Sequence, residues 1–174
     1  VFLLDGRGFF DVAKDKSKPF TVQGEKLATT ALGTSFVVQN YKTYGYEKVS
    51  LYTGMVKIDQ AGETGGPVIL VPGQEFEKDM GHNQNVVSTF SLSKNNMTTG
   101  KFSFNNDRLD VVLYNIASFY NIHLKFNSEA LKGQHISGTF EYTNVDETLK
   151  SIAFTHPLTV KKIDHSTYSI MQKK

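Results

Sequence analysis

Leu109, Val112, Leu113, Ile116 and Tyr120 fall at i, i+3, i+4, i+7 and i+11, one apolar stripe along a helix, and this is the first helical spacing along the chain. Upstream the period is two. Phe10 and Val12, Phe20 and Val22, Phe36 and Val38, Val49 and Leu51, and Val56 and Ile58 alternate with other residues, so each pair lies on one face of a strand. The two repeats need different backbone conformations, so the chain divides into a β part and a later part that holds helices.

Turn signals separate the strands of the first part at Asp5-Gly6, Tyr52-Thr53-Gly54 and Pro72-Gly73, where Gly permits positive φ and Pro presets a bend. Short strands at such spacing predict an all-β domain over residues 1–91 and leave sandwich, barrel and β-solenoid open. Residues 79–99 are polar and turn-rich around a short apolar stretch at Val86-Val87, and the boundary is expected there, with 92–99 as the linker.

Residues 100–174 read as a small α+β domain of order β-α-β-β-α-β-β, a sheet covered by two helices. The strands are expected at 102–104, 122–126, 136–140, 158–163 and 168–171, the last two joined in a hairpin around Asp164-His165-Ser166. Asn106 or Asp107 can cap the first helix. Val145, Leu149 and Ile152 mark the second, opened by Asn144 with Glu147 three residues on, a capping-box arrangement.

Composition narrows the function classes. The 19 basic and 17 acidic residues are scattered, without the clustered basic face that neutralises phosphates, so nucleic acid is not an expected partner. With no Cys there is no thiolate metal site, disulfide or cysteine nucleophile. The longest aliphatic run, Val68-Ile69-Leu70-Val71, lies between Pro67 and Pro72, far short of the roughly 20 residues of a spanning helix. The opening Val1-Phe2-Leu3-Leu4 reads as the middle of a strand, and a longer parent protein is expected.

Catalytic constellations are weak. Asp5, Asp11 and Asp15 could be offered as glycosidase carboxylates, but two sit in turn-like sequence and Asp11 alternates with core positions. The His residues at 82, 123, 135, 156 and 165 form no i, i+4 metal pair. Asp164-His165-Ser166 are sequence neighbours, whereas a triad is defined by spatial geometry. Gly62, Gly65 and Gly66 lack the Lys-Ser/Thr of a phosphate loop and read as a hairpin loop. No enzyme activity and no cofactor are expected. Tyr41, Tyr44 and Tyr46 form a dense cluster that would suit sugar stacking, and a periplasmic carbohydrate-binding module is the alternative function.

Several short motifs occur in a telling order. Leu4-Asp5-Gly6-Arg7-Gly8-Phe9-Phe10-Asp11-Val12 is followed by Lys18-Pro19-Phe20-Thr21-Val22, Ala31-Leu32-Gly33-Thr34-Ser35-Phe36-Val37-Val38, Leu51-Tyr52-Thr53-Gly54-Met55-Val56 and Leu70-Val71-Pro72-Gly73-Gln74. This succession resembles the periplasmic core of FecR-type anti-sigma regulators. Gly100-Lys101-Phe102-Ser103-Phe104-Asn105-Asn106 and Gly138-Thr139-Phe140 resemble the small domain that follows that core, which is similar to the short signalling domain of secretins and TonB-linked transducers. The Trp usual before the first of these motifs is absent, and Met97-Thr98-Thr99 stand there.

The resemblance implies the periplasmic, signal-receiving part of a single-pass inner-membrane protein. Its expected partners are the periplasmic signalling domain of a TonB-dependent outer-membrane transducer and, through a cytoplasmic segment and a transmembrane helix outside this sequence, an extracytoplasmic-function sigma factor. Phe102, Phe104, Tyr168 and Ile170 are the candidate partner-binding residues, because an edge strand or hairpin can pair with another chain. The resemblance also implies self-cleavage between Gly33 and Thr34, as in some regulators of this type.

Overall fold

The computed structural model describes residues 1–15, 17–81, 84–90, 101–141 and 144–173, and of residues 84, 101–103 and 141 the backbone alone. The chain divides into two compact units, Val1–Ser93 and Lys94–Lys174. The expected linker, 92–99, lies outside the described residues.

The first unit holds two five-stranded sheets. One runs in the order β1 (Phe2–Leu3), β3 (Phe20–Gln23), β4 (Leu27–Ala31), β7 (Val56–Gln60), β8 (Val68–Leu70). The other runs β10 (Gln84–Thr89), β9 (Gln74–Asp79), β6 (Tyr46–Thr53), β5 (Ser35–Tyr41), β2 (Gly6–Asp11). Every pairing is antiparallel except β1 with β3.

Inward-facing side chains decide among the architectures left open by the sequence. Val22, Leu27, Ala31, Val56, Ile58 and Leu70 of one sheet meet Phe36, Val38, Val49, Leu51 and Phe76 of the other in one cluster, none more than 2% exposed. Two sheets that share a core in this way form a sandwich. Each large aliphatic or aromatic side chain buried here contributes about 1.5–3 kcal/mol of transfer free energy. The alternating pairs of the sequence supply most of this cluster, and Phe10, Val12 and Phe20 pack at its margin.

The polar stretch expected to begin the boundary at residue 79 is partly structured. Gln84–Thr89 pairs residue for residue with β9, so the sheet continues past the turn at Met80-Gly81. Val86 and Val87 provide enough β-propensity to extend it.

The second unit has the expected element order, but its strands form two sheets and not one. β11 (Lys101–Arg108) and β13 (His135–Glu141) make an antiparallel ribbon with a register shift between Phe104 and Asp107. Asn106, at φ 57°, turns the chain within that bulge. β12 (His123–Lys125), β15 (Thr167–Gln172) and β14 (Leu158–Lys162) form the other sheet, with β15 central and β12 parallel to it. Among the described residues no strand pairing joins the two sheets.

Helix α1 (Leu109–Tyr120) buries every residue from Leu109 to Ala117, a wider face than the stripe read from the sequence. The expected cap at Asn106 or Asp107 is displaced. β11 runs on to Arg108, which occupies the N-cap without a side-chain bond to the helix's free N–H groups, while Asp107 Oδ2 accepts the N–H of Asn105 within the bulge. Asn121, at φ 51°, ends the helix, and its N–H reaches Ala117 O and Ser118 O. Helix α2 (Val145–Thr155) starts as the sequence predicts, with Asn144 Oδ1 accepting the Glu147 N–H at 2.9 Å. Thr148, Leu149 and Ile152 are its buried side chains.

Candidate functional site

Residues 32–34 carry the chain from β4 in one sheet to β5 in the other, and residues 54–55 carry it back from β6 to β7. The two corners pack together. Gly33 adopts φ 117°, and a Cβ built on it would lie 2.6 Å from Lys14 Cα. Gly54 adopts φ 79°, and a Cβ there would lie 2.6 Å from Thr34 Cγ2 and 2.8 Å from Gly33 O. Both positions therefore require glycine on two counts, the left-handed backbone and the lack of room.

Thr34 is 3% exposed, and its Oγ1 has no hydrogen-bond partner among the described residues. Its carbonyl accepts the Val12 N–H at 3.0 Å. The next residue is held from both sides: Ser35 N–H donates to Thr53 Oγ1 at 2.9 Å, and Ser35 Oγ donates to Asp11 Oδ1 at 2.6 Å. The Gly33-Thr34 peptide is thus fixed at a corner, with a buried hydroxyl unspent beside it and the Asp11 carboxylate tied into the same network.

In the second unit, the described members of the partner-binding set point inward. Phe104 is 7% exposed, with its ring centroid 6.0 Å from that of Phe140. Tyr168 is 1% exposed. Its hydroxyl donates to Asp146 Oδ1 at 3.0 Å, and Lys162 Nζ, 3.5 Å from Asp146 Oδ2, stands 5.2 Å from the ring centroid. Ile170, 4% exposed, borders a hollow of about 250 Å³ between β15 and residues 126–131. The side chain of Phe102 lies outside the described residues; its backbone pairs with Phe140.

The sequence reading missed one large apolar residue that faces outward. Phe154, on α2, is 92% exposed. The signal was present, since Phe154 falls off the stripe of Val145, Leu149 and Ile152.

Other sequence candidates take structural roles. The sugar-stacking platform is not formed. Tyr41 and Tyr46 are 4% and 0% exposed and stack on each other at 6.2 Å, and burial raises the Tyr41 hydroxyl above the ordinary tyrosine range. Asp164 Oδ1 accepts the N–H groups of Ser166 and Thr167 at 2.9 and 2.8 Å, which closes the β14–β15 turn and lowers the Asp164 pKa. Among the described residues no group of three or more His, Cys, Asp or Glu is placed to hold a metal ion, and no helix is long and apolar enough to cross a membrane.

A β-sandwich followed by a small α+β unit with a parallel β12–β15 pair is the class this chain defines. Residues 101–170 match the family described as FecR, C-terminal, and the chain carries a FecR-type region. Two crystal structures, each of a Parabacteroides distasonis protein assigned as an anti-sigma factor, match 99% of the chain, with TM-scores of 0.78 and 0.79. Each is 21% identical to it, and the match covers 79% and 80% of those chains. At that identity the likeness establishes a shared fold. No match was found among curated proteins.

Proposed function

We propose that this chain is the signal-receiving part of an anti-sigma regulator, working in the periplasm as part of a single-pass inner-membrane protein. It relays a signal from a TonB-dependent outer-membrane transducer to an extracytoplasmic-function sigma factor by protein contact. The observation that carries this reading is the FecR C-terminal match over residues 101–170, in a chain whose fold follows proteins assigned as anti-sigma factors across both units.

Because Phe104, Tyr168 and Ile170 fill the interior of the second unit, the transducer meets strand edges and outward side chains there. Phe154 is the natural anchor, since an aromatic ring held in water gains most from being covered. NMR titration of the labelled chain with the periplasmic signalling domain of the transducer tests this. Shifts confined to the second unit, weakened at least about tenfold by Phe154→Asp, are expected. Absence of association at high micromolar concentration overturns direct contact.

The corner at Gly33-Thr34 supports a second property, self-cleavage. Thr34 Oγ attacks the Gly33 carbonyl carbon, the Gly33–Thr34 amide bond breaks, and the Thr34 nitrogen leaves as the amine with the hydroxyl proton. Water then hydrolyses the ester to a Gly33 carboxylate and a free Thr34 hydroxyl. The supporting observation is the buried Oγ1 without a hydrogen-bond partner beside a glycine at φ 117°. Denaturing mass spectrometry of fresh protein is expected to find fragments ending at Gly33 and starting at Thr34, retained in Thr34→Ser and absent in Thr34→Ala. A single full-length mass after prolonged incubation overturns it.

A further inference from the structure

An exposed sheet edge presents unpaired N–H and C=O groups, and natural proteins blunt such edges with shortness, charge, proline or bulges. Most edges of this fold carry one of those devices. β1 has two residues, β8 has three and lies between Pro67 and Pro72, and β12 has three. β2 contains Arg7 and Asp11, β14 ends in Lys161-Lys162, and the β11–β13 ribbon is broken by its bulge.

β10 carries none of them. Among the described residues it is a six-residue edge strand, paired with β9 along its whole length without a register shift. Gln84-Asn85-Val86-Val87-Ser88-Thr89 contains no charged residue and no proline. Two of its polar side chains turn back onto its own sheet: Asn85 Oδ1 accepts from Lys78 Nζ at 3.3 Å, and Ser88 Oγ donates to Glu75 Oε1 at 3.3 Å. Val86 and Val87, 45% and 49% exposed, stand at the centre of the strand.

We propose that β10 pairs antiparallel with β10 of a second copy of this chain, about a two-fold axis through Val86. The second copy fits because the strand is complementary to itself. With the axis normal to the sheet at Val86, opposed residues share a face: Val86 meets its own copy, Asn85 meets Val87 and Gln84 meets Ser88. No like charges oppose each other on the paired strands, the condition that isologous contact demands. The pairing joins the β10-containing sheets of two molecules into one continuous sheet. Six residues a side bury far less than the roughly 1,200 Å² of a stable interface, so the association is weak and concentration-dependent. This inference is independent of the transducer contact, which falls on the other unit.

Sedimentation velocity of the 174-residue chain from about 10 µM to about 1 mM tests it. The expected result is a weight-average mass rising from monomer toward dimer, association weakened at least about tenfold in Val86→Lys and Val87→Lys, and retention in Val86→Thr. On the unmodified protein, hydrogen exchange at residues 84–89 slows as concentration rises. A monomer throughout that range, or association that both lysine variants leave unchanged, overturns the proposal. So does exchange at 84–89 that is independent of concentration in a protein that does associate.

Discussion

The carboxylate of Glu47, on β6, accepts the Leu27 N–H at 3.2 Å, so a side chain of one sheet closes the end of a strand in the other. The Lys26 N–H donates to its other oxygen at 2.5 Å, and a Cβ on Gly24 would collide with that carboxylate. Glu47 is fully buried, and burial raises its pKa above the ordinary glutamate range, Glu25 adding to the effect while the two N–H donors and Lys78 oppose it.

A raised carboxyl pKa means that the folded chain binds this proton more tightly than the unfolded chain does. The stability contributed is fully present below the unfolded pKa and is lost as pH rises through the folded one. Glu47→Gln has no such proton. Thermal midpoints measured from about pH 4 to about pH 7 are therefore expected to fall for the wild type relative to Glu47→Gln as pH rises. Parallel curves would contradict the assignment.

Glu47→Ala removes both acceptors and leaves two backbone N–H groups unanswered inside the protein. Urea unfolding is expected to show a loss of about 2–3 kcal/mol.

Gly54 and Gly62 share a backbone conformation, at φ 79° and φ 80°, but differ in surroundings, since nothing lies within 4 Å of a Cβ at Gly62. Gly62→Ala should cost about 1 kcal/mol, the conformational term alone. Gly54→Ala adds the collision with Thr34 and Gly33 and should cost about 2–3 kcal/mol. Equal costs would show that the two corners are not packed as described.

Asp110, 2% exposed, collects the guanidinium of Arg108 at 2.7 and 3.1 Å, the Ser128 hydroxyl at 2.9 Å and the Val111 N–H at 2.9 Å. Ser128 in turn accepts the Tyr114 hydroxyl at 3.2 Å. Asp110→Ala is expected to destabilise the second unit by about 3 kcal/mol and to speed hydrogen exchange over 128–131. Unchanged exchange there would break the link between α1 and that segment.

Asn144→Ala removes the α2 cap and should cost about 1 kcal/mol, while Asn144→Asp should hold stability within a few tenths. Circular dichroism melts of the pair measure the difference.

Burial on one face forces alternation, which is why Val22, Phe36, Val38, Val49, Leu51, Val56 and Ile58 could be assigned to a core from the sequence. Alternation tells which way a side chain points and not which strand lies alongside. Nothing in Phe2-Leu3 announces a parallel partner in Val22-Gln23, so the choice of a sandwich waited for the structure. The α2 cap was legible because Asn144 directly precedes its helix. The α1 cap was not, because a strand running to Arg108 puts a side chain with no hydrogen-bond acceptor in the capping position. Phe104, Tyr168 and Ile170 show the limit at the candidate site: an apolar residue on a strand has the same signature whether it faces its own core or another protein. For Gly33-Thr34 the sequence supplies the pair, and only coordinates show a hydroxyl there without a hydrogen-bond partner.

The corner at residues 32–34 joins strands that are interleaved with later ones. Residues before it supply β1, β3 and β4 to one sheet and β2 to the other, and β2 is zipped to β5 and β4 to β7 by backbone hydrogen bonds on the far side of the corner. A severed chain would therefore behave as a split protein whose halves complement each other. Its native elution volume would stay that of the intact molecule, and the break would surface only when denaturant pulled the two strand sets apart.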